Sequence, residues 1–325
     1  LAGLFPDVKI EVIESLKKYK QENKGDTGDL RKRDIFVTKQ NWDFVKICPC
    51  TKGVVNCGYH IINLGFGCPY DCSYCYLQQY ANFSGIILNS NPESFLENID
   101  TYLNDRKDKV TRIGTGEFTD SLALDHITQY SKILVPYFSG KNVRFELKTK
   151  SSNIENLETL EHNGKTLISW SLNPQGIASK EELGTASVEE RLKSAKICYN
   201  YGYKIGFHFD PIIHYDNWEN DYKDLVNLMC DAVPEIEWIS LGSLRFTRAL
   251  KPVIEQRFPG SDYIYDELII GHDTKMRYYK ALRSEIYKKM FGWIRDRNKK
   301  IAVYLCMEPK DMWSQALSGQ KPYWL

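Results

Sequence analysis

GFGCPYDCSYCYLQ (Gly65–Gln78) sets Cys68, Cys72 and Cys75 at C-x3-C-x2-C spacing, directly after the apolar run YHIINLG (59–65). Of the nine cysteines, six (Cys48, Cys50, Cys57, Cys68, Cys72 and Cys75) crowd into one short stretch. An odd count in a chain of this length points to metal or redox chemistry rather than to a disulfide scaffold. Three thiolates on one tight loop can hold three irons of a cubane and leave the fourth iron open. The competing reading, a structural zinc site, needs a fourth ligand nearby and usually pairs its cysteines as CxxC knuckles. Cys198 and Cys230 sit on apolar helical patterns, where a thiol behaves as a small hydrophobe.

Outward from that loop the chain alternates short apolar runs with longer helical patterns, as a parallel sheet with helical crossovers requires. The candidate strands are YHIINLG (59–65), KVTRIG (109–114), VRFELK (143–148), TLISWS (166–171), YKIGFHF (203–209) and IEWISLG (236–242). Helical patterns lie between them, among them LALDHITQYSKILVPYF and SVEERLKSAKICYNYG. The expected fold is α/β, an open partial TIM barrel (β/α)6 over 59–242. An N-terminal extension with a Cys-rich segment (1–58) precedes it, and a basic, aromatic C-terminal cap (243–325) follows. The charge run KKYKQENKGDTGDLRKRD reads as a solvated helix and linker.

With 42% hydrophobic and 26% charged residues among 325, the composition is that of a folded globular chain. Forty-three Lys and Arg against forty-two Asp and Glu give a net charge of +1. A polyanion partner would therefore be held by a local patch and not by a global field. No run of about 18 apolar residues is present, and the first residues lack the blocks of a secretory signal. The expected location is the cytoplasm, with no membrane partner.

The three-cysteine loop resembles that of the radical S-adenosylmethionine superfamily, with Tyr74 before the last cysteine. The GTGE stretch (Gly114, Thr115, Gly116, Glu117) is similar to that superfamily's glycine-rich turn. Within it, the stretch from Cys72 to Gln78 resembles the spore photoproduct lyase family. TDSLALDHIT, ELKTKSSNI, SWSLNP, FHFDPI and SLGSLRFT follow in that family's order. The resemblance implies a [4Fe–4S] cluster on Cys68, Cys72 and Cys75, and reductive cleavage of S-adenosylmethionine to a 5′-deoxyadenosyl radical. It also implies repair of a thymine-dimer lesion in DNA, with electrons from a donor such as ferredoxin or flavodoxin. By the same resemblance, Gly114 to Glu117 bind the methionyl amino group, Lys150 and Ser171 contact the methionine carboxylate or ribose, and Asp210 lies near the nucleoside. Tyr74 and Tyr76 relay the radical. The family's hydrogen-donor cysteine is replaced by Phe118 or Thr119, which leaves Tyr74, Tyr76 and Cys306 as candidate donors.

Two further sets of residues complete the reading. Cys48, Cys50, Cys57 and Cys306 make up a thiol set sufficient for a second iron–sulfur cluster. Basic residues interleave with aromatics in LRFTRALK, KMRYYKALR and YKKMFGWIRDRNKK, which suits a phosphate backbone with stacked bases, and Arg277 and Tyr278 are the candidate DNA contacts. His208 and His214, flanking Asp210, read as core or turn histidines. Two alternatives stand beside lesion repair. One is a radical enzyme of the same family acting on a different nucleotide, a peptide or a small metabolite. The other is a noncatalytic iron–sulfur or zinc DNA-binding protein.

Overall fold

The computed structural model describes residues 11–16, 18, 19, 34–39, 44–80, 85–106, 109–319 and 322. Most of the charge run after Leu16 lies outside the described residues. The alternating pattern resolves into one curled sheet of eight strands. They are β1 (Val45–Ile47), β2 (Tyr59–Ile62), β3 (Thr111–Thr115), β4 (Val143–Thr149), β5 (Thr166–Ser171), β6 (Lys204–Ile212), β7 (Trp238–Ser243) and β8 (Ala302–Leu305). Their spatial order is their chain order, with β2 through β8 parallel and β1 antiparallel to β2.

The six expected strands are therefore present as β2 to β7, in an open half-barrel. The division of the chain at 58 and 242 is not kept by the sheet. β8 comes from the expected cap, because its apolar IAVYL run pairs along β7 and buries Val303, Tyr304 and Leu305. β1 comes from the N-terminal extension. A second, small sheet joins Asp34–Thr38 to Gly85–Asn89 and Gly65–Phe66, at the root of the three-cysteine loop. The helical pattern 122–138 is broken into Asp125–Thr128 and Tyr130–Ser139 by Gln129, whose φ of 52° is left-handed. Asp125 holds the break, accepting from Ser131 N (2.9 Å) and Ser131 Oγ (2.5 Å).

The period of two along each strand sorts side chains between helices and barrel interior. On β4, Phe145 stacks on Phe138 of the following layer with centroids 4.4 Å apart. The alternate residue, Glu146, turns inward to meet His208 Nε2 of β6 (2.7 Å) and Ser169 Oγ of β5 (2.6 Å). Arg112 of β3 lies beside them, only 4% exposed, over Trp238 (4.5 Å) and Tyr304 (5.0 Å). The half-barrel is thus packed by apolar helices outside and by a paired polar network inside.

Burial alone would raise the Glu146 carboxyl, but hydrogen-bonded His208, with Arg112 and Ser169, brings it down to about 2 from 4.5. A carboxyl more acidic folded than unfolded binds its proton less readily in the native state, so its contribution is complete above pH 4.5. That contribution, on the order of 3 kcal/mol, is lost as pH falls toward about 2. The Glu146→Gln variant is expected to be less stable than the parent at neutral pH. The gap should narrow as pH falls through that window, as read by urea denaturation at a series of pH values.

Candidate cluster and cofactor site

Every sequence-derived site residue of the barrel lies at the carboxyl ends of the parallel strands, where open α/β sheets bind ligands. The cysteine loop leaves β2 and turns at Gly67, whose φ is +92°. Its N–H donates to the Phe118 carbonyl (2.9 Å). A Cβ at Gly67 would stand 3.0 Å from the Gly85 carbonyl oxygen, so the approach requires glycine. Asp71 and Cys72 pair antiparallel with Leu183 and Glu182, and Cys75 N donates to Cys72 O (3.2 Å). Arg257, from the far side of the chain, grips Asp71 (2.9 Å) and Gln78. None of the nine cysteines is in a disulfide.

Among the described residues no three His, Cys, Asp or Glu side chains stand close enough to share one metal ion. A polynuclear cluster, whose ligands sit on separate irons, is the group that three thiols on this loop fit.

The glycine turn after β3 faces that loop. A Cβ at Gly114 would lie 2.4 Å from Glu146 O and from Tyr59 Oη, and one at Gly116 (φ +92°) 2.7 Å from Lys148 O. Both glycines therefore let the turn lie flat on β4. Tyr59 Oη donates to Thr115 O (3.2 Å), and Thr115 Oγ1 meets Ser121 Oγ (2.6 Å). Glu117 is paired with Lys148 (3.7 Å). Burial works against the charge on Lys148, but Glu117, Glu146 and Asp210 outweigh it and raise its pKa. Tyr76 Oη donates to Glu117 O (2.6 Å), tying the cysteine loop to the turn a second time.

Lys150 is placed by Asp120 of the TDSLALDHIT stretch. Asp120 accepts from Lys150 N (2.7 Å), Thr149 Oγ1 (2.6 Å), Leu122 N (3.0 Å) and Ala123 N (2.9 Å). The Lys150 ammonium stands 5.7 Å from the Tyr74 ring centroid. Tyr74 is buried and donates to Glu182, which also pairs with fully buried Arg191 (2.6 Å). Burial, then Glu182, pushes the Tyr74 phenol well up. Ser171 ends β5, its carbonyl accepting from Arg191 (2.9 Å).

Asp210 is gripped by both guanidinium nitrogens of Arg245, at 2.9 and 3.1 Å. Arg245 Nη2 also reaches Cys306 Sγ (3.3 Å). Burial would raise the Asp210 carboxyl, but Arg245 and Lys148 hold it below the usual range. Asp120, Lys148 and Arg245 escape a sequence reading because they look like ordinary surface charges; only the strand order brings them to the site.

Two expectations about the C-terminal segment and the donor position are corrected or filled in. Arg277 and Tyr278 are not surface contacts. Arg277, 6% exposed, pairs with Asp273 and Glu308, and fully buried Tyr278 accepts from His214 N (2.8 Å). They lie on the central strand of a three-stranded sheet, where side chains pack against the barrel. Its edge strand, Leu268–Ile270, instead exposes Ile269 (50%) and Ile270 (56%). Phe118, expected with Thr119 in place of the donor thiol, stacks on Phe66 with centroids 6.2 Å apart. His208 is held by Glu146 in the interior and His214 by Asp266 (2.9 Å).

An open parallel half-barrel with a three-thiol loop at its strands' carboxyl ends is the class of protein that fold and site define. The family model described as spore photoproduct lyase matches residues 55–307. The spore photoproduct lyase of Geobacillus sp. (strain Y412MC61) is 30% identical over 217 residues, 64% of this chain and 63% of that protein. That of Clostridium acetobutylicum is 31% identical over 205 residues, 62% of this chain and 61% of that one. The chain thus spans between 61% and 63% of the length of these curated relatives. A solved spore photoproduct lyase complexed with dinucleoside spore photoproduct superposes with a TM-score of 0.75 at 26% identity, covering 84% of this chain and 82% of that one. A variant of a spore photoproduct lyase with bound AdoMet and the same dinucleoside superposes at 0.74 and 25% identity, with the same coverage. The chain belongs to the spore photoproduct lyase family.

Asp120 carries four hydrogen bonds at the rim of the site, and their loss leaves buried donors unsatisfied. Asp120→Ala is expected to destabilise the fold by roughly 2–4 kcal/mol, measured by urea denaturation.

Proposed function

We propose that this chain is a radical S-adenosylmethionine lyase that repairs a methylene-bridged thymine dimer in DNA. The observation that carries the reading is the family match across residues 55–307, which takes in the three-thiol loop, the glycine turn and every strand end around them. Cys68, Cys72 and Cys75 would hold a [4Fe–4S] cluster, loaded with electrons by a carrier such as ferredoxin or flavodoxin. When bound, the cluster and S-adenosylmethionine supply a 5′-deoxyadenosyl radical. The chain's own residues bind and orient. The flat turn Gly114–Thr115–Gly116 admits a ligand backbone, and Glu117, held by Lys148, offers a carboxylate to an ammonium. Lys150 and Ser171 would meet the methionine carboxylate or ribose, and Asp210, fixed by Arg245, the nucleoside.

With Phe118 or Thr119 in the donor position, we assign hydrogen return to the Tyr76 hydroxyl, which lies against the turn at Glu117. Tyr74 shares that relay but is committed to Glu182. DNA would be met by the edge strand carrying Ile269 and Ile270, since apolar wedges unstack a weakened base step at a cost of a few kcal/mol. Cys48, Cys50, Cys57 and Cys306 are surplus to this ligand set and are the residues left for a second cluster.

The test is anaerobic incubation of reconstituted protein with dithionite, S-adenosylmethionine and an oligonucleotide carrying the lesion, followed by mass spectrometry. Restored thymine with 5′-deoxyadenosine is the expected outcome. Deoxyadenosine alone would move the substrate to another nucleotide, a peptide or a metabolite, and neither product would leave a noncatalytic DNA binder. Tyr76→Phe is expected to lower thymine yield at least about tenfold while deoxyadenosine still forms, measured in the same assay. Replacing Ile269 and Ile270 together by Asp is expected to weaken binding to lesion DNA by about tenfold or more in a fluorescence-anisotropy titration.

A further inference from the structure

Four thiols that the proposed reaction does not use are gathered on the open side of the half-barrel. Cys48, Cys50 and Cys57 lie on the connection between β1 and β2, and Cys306 follows β8, at the opposite edge of the sheet. The connection bridges those edges: Val55 N donates to Glu308 O (3.0 Å), and Arg112 Nη1 to Cys57 O (3.1 Å). Cys50 lies within electrostatic reach of Cys57 and Cys306, Cys57 of Cys48, and Cys306 of Cys57. All four are partly accessible and none is in a disulfide.

The tight turn Cys50 N→Cys48 O (2.7 Å) brings the first two sulfurs to 3.9 Å. Two thiolates on one tetrahedral metal at about 2.3 Å stand about 3.8 Å apart, whereas a cubane takes each thiolate on a different iron. No third Cys, His, Asp or Glu among the described residues is close enough to complete a single-ion site. A two-iron cluster, with two thiolates on each iron, satisfies both observations. The Cys57 and Cys306 half of the set also has two arginines beside it. Arg245 reaches Cys306 Sγ at 3.3 Å, and Arg112 borders Cys57. These cations offset the negative charge that four thiolates bring when they release their protons on ligation.

We propose that Cys48, Cys50, Cys57 and Cys306 hold a second iron–sulfur cluster, of the two-iron kind, with Cys48 and Cys50 on one iron. The site closes the seam of the half-barrel. It does not depend on the lesion-repair reading, since it is read from metal content without substrate.

The test is anaerobic reconstitution of the full chain with Cys68, Cys72 and Cys75 all changed to Ala, followed by iron, sulfide and zinc analysis and electron paramagnetic resonance after dithionite. About two irons and two sulfides per chain with a reduced two-iron signal are expected. Adding Cys48→Ser and Cys50→Ser should remove both. No bound iron in the triple variant, iron that survives the added serines, or zinc in its place would overturn the proposal. As a check on folding, Cys48→Ser with Cys50→Ser in the otherwise intact chain should lose about two irons while keeping the iron of the Cys68 loop, and an unchanged iron content would equally overturn it.

Discussion

A sheet that curls without closing leaves two edges, each with a row of unpaired N–H and C=O groups, and this half-barrel depends on how that seam is covered. β1 lies antiparallel on one edge and β8 ends the other. The connection from Cys48 to Cys57 spans them, with a main-chain bond from Val55 N to Glu308 O and a Cys57 carbonyl that accepts from the Arg112 side chain, and Thr51 meets Asp273 and Lys275 of the C-terminal sheet at 3.5 Å each. The segment from Val45 to Cys57 is thus structural, as is β8. Segments on either side of the alternating pattern, β1 before it and β8 after it, finish the sheet.

The interior shows the same economy of charge. Arg112 and Glu146 are buried and Lys148, Asp210 and Arg245 half-buried, charges that would each be costly alone. Each finds an opposite charge within reach: Glu146 acts on Arg112 and Lys148, and Asp210 on Lys148 and Arg245. The site inherits this arrangement. Glu117 and Asp210 enter it already paired with Lys148 and Arg245.

The β-strands from Tyr59 to Ser243 were legible because short apolar runs at regular spacing have few other readings, and the three-cysteine loop because its spacing is so specific. Less was legible where partners lie far apart in sequence. IAVYL could be recognised as a strand, but nothing local says that it joins β7 and not the cap. The break at Gln129 is set by Asp125 accepting from Ser131, a bond that helical periodicity does not reveal. KMRYYKALR reads as a basic aromatic surface, yet Arg277 and Tyr278 are claimed by Asp273, Glu308 and His214. The exposed pair, Ile269 and Ile270, has the composition of core residues.

The grip of Arg257 on Asp71 and Gln78 has a bearing on how the protein matures. The cysteine loop is made early by the ribosome, but the side chain that fixes its shape follows nearly two hundred residues later, and Cys306 later still. A nascent chain carries the three thiols on an unpinned loop throughout that interval. Under the proposed cluster assignment, loading in the final geometry would be a late event, and a chain truncated before Arg257 would display the three thiols without the mould that holds them.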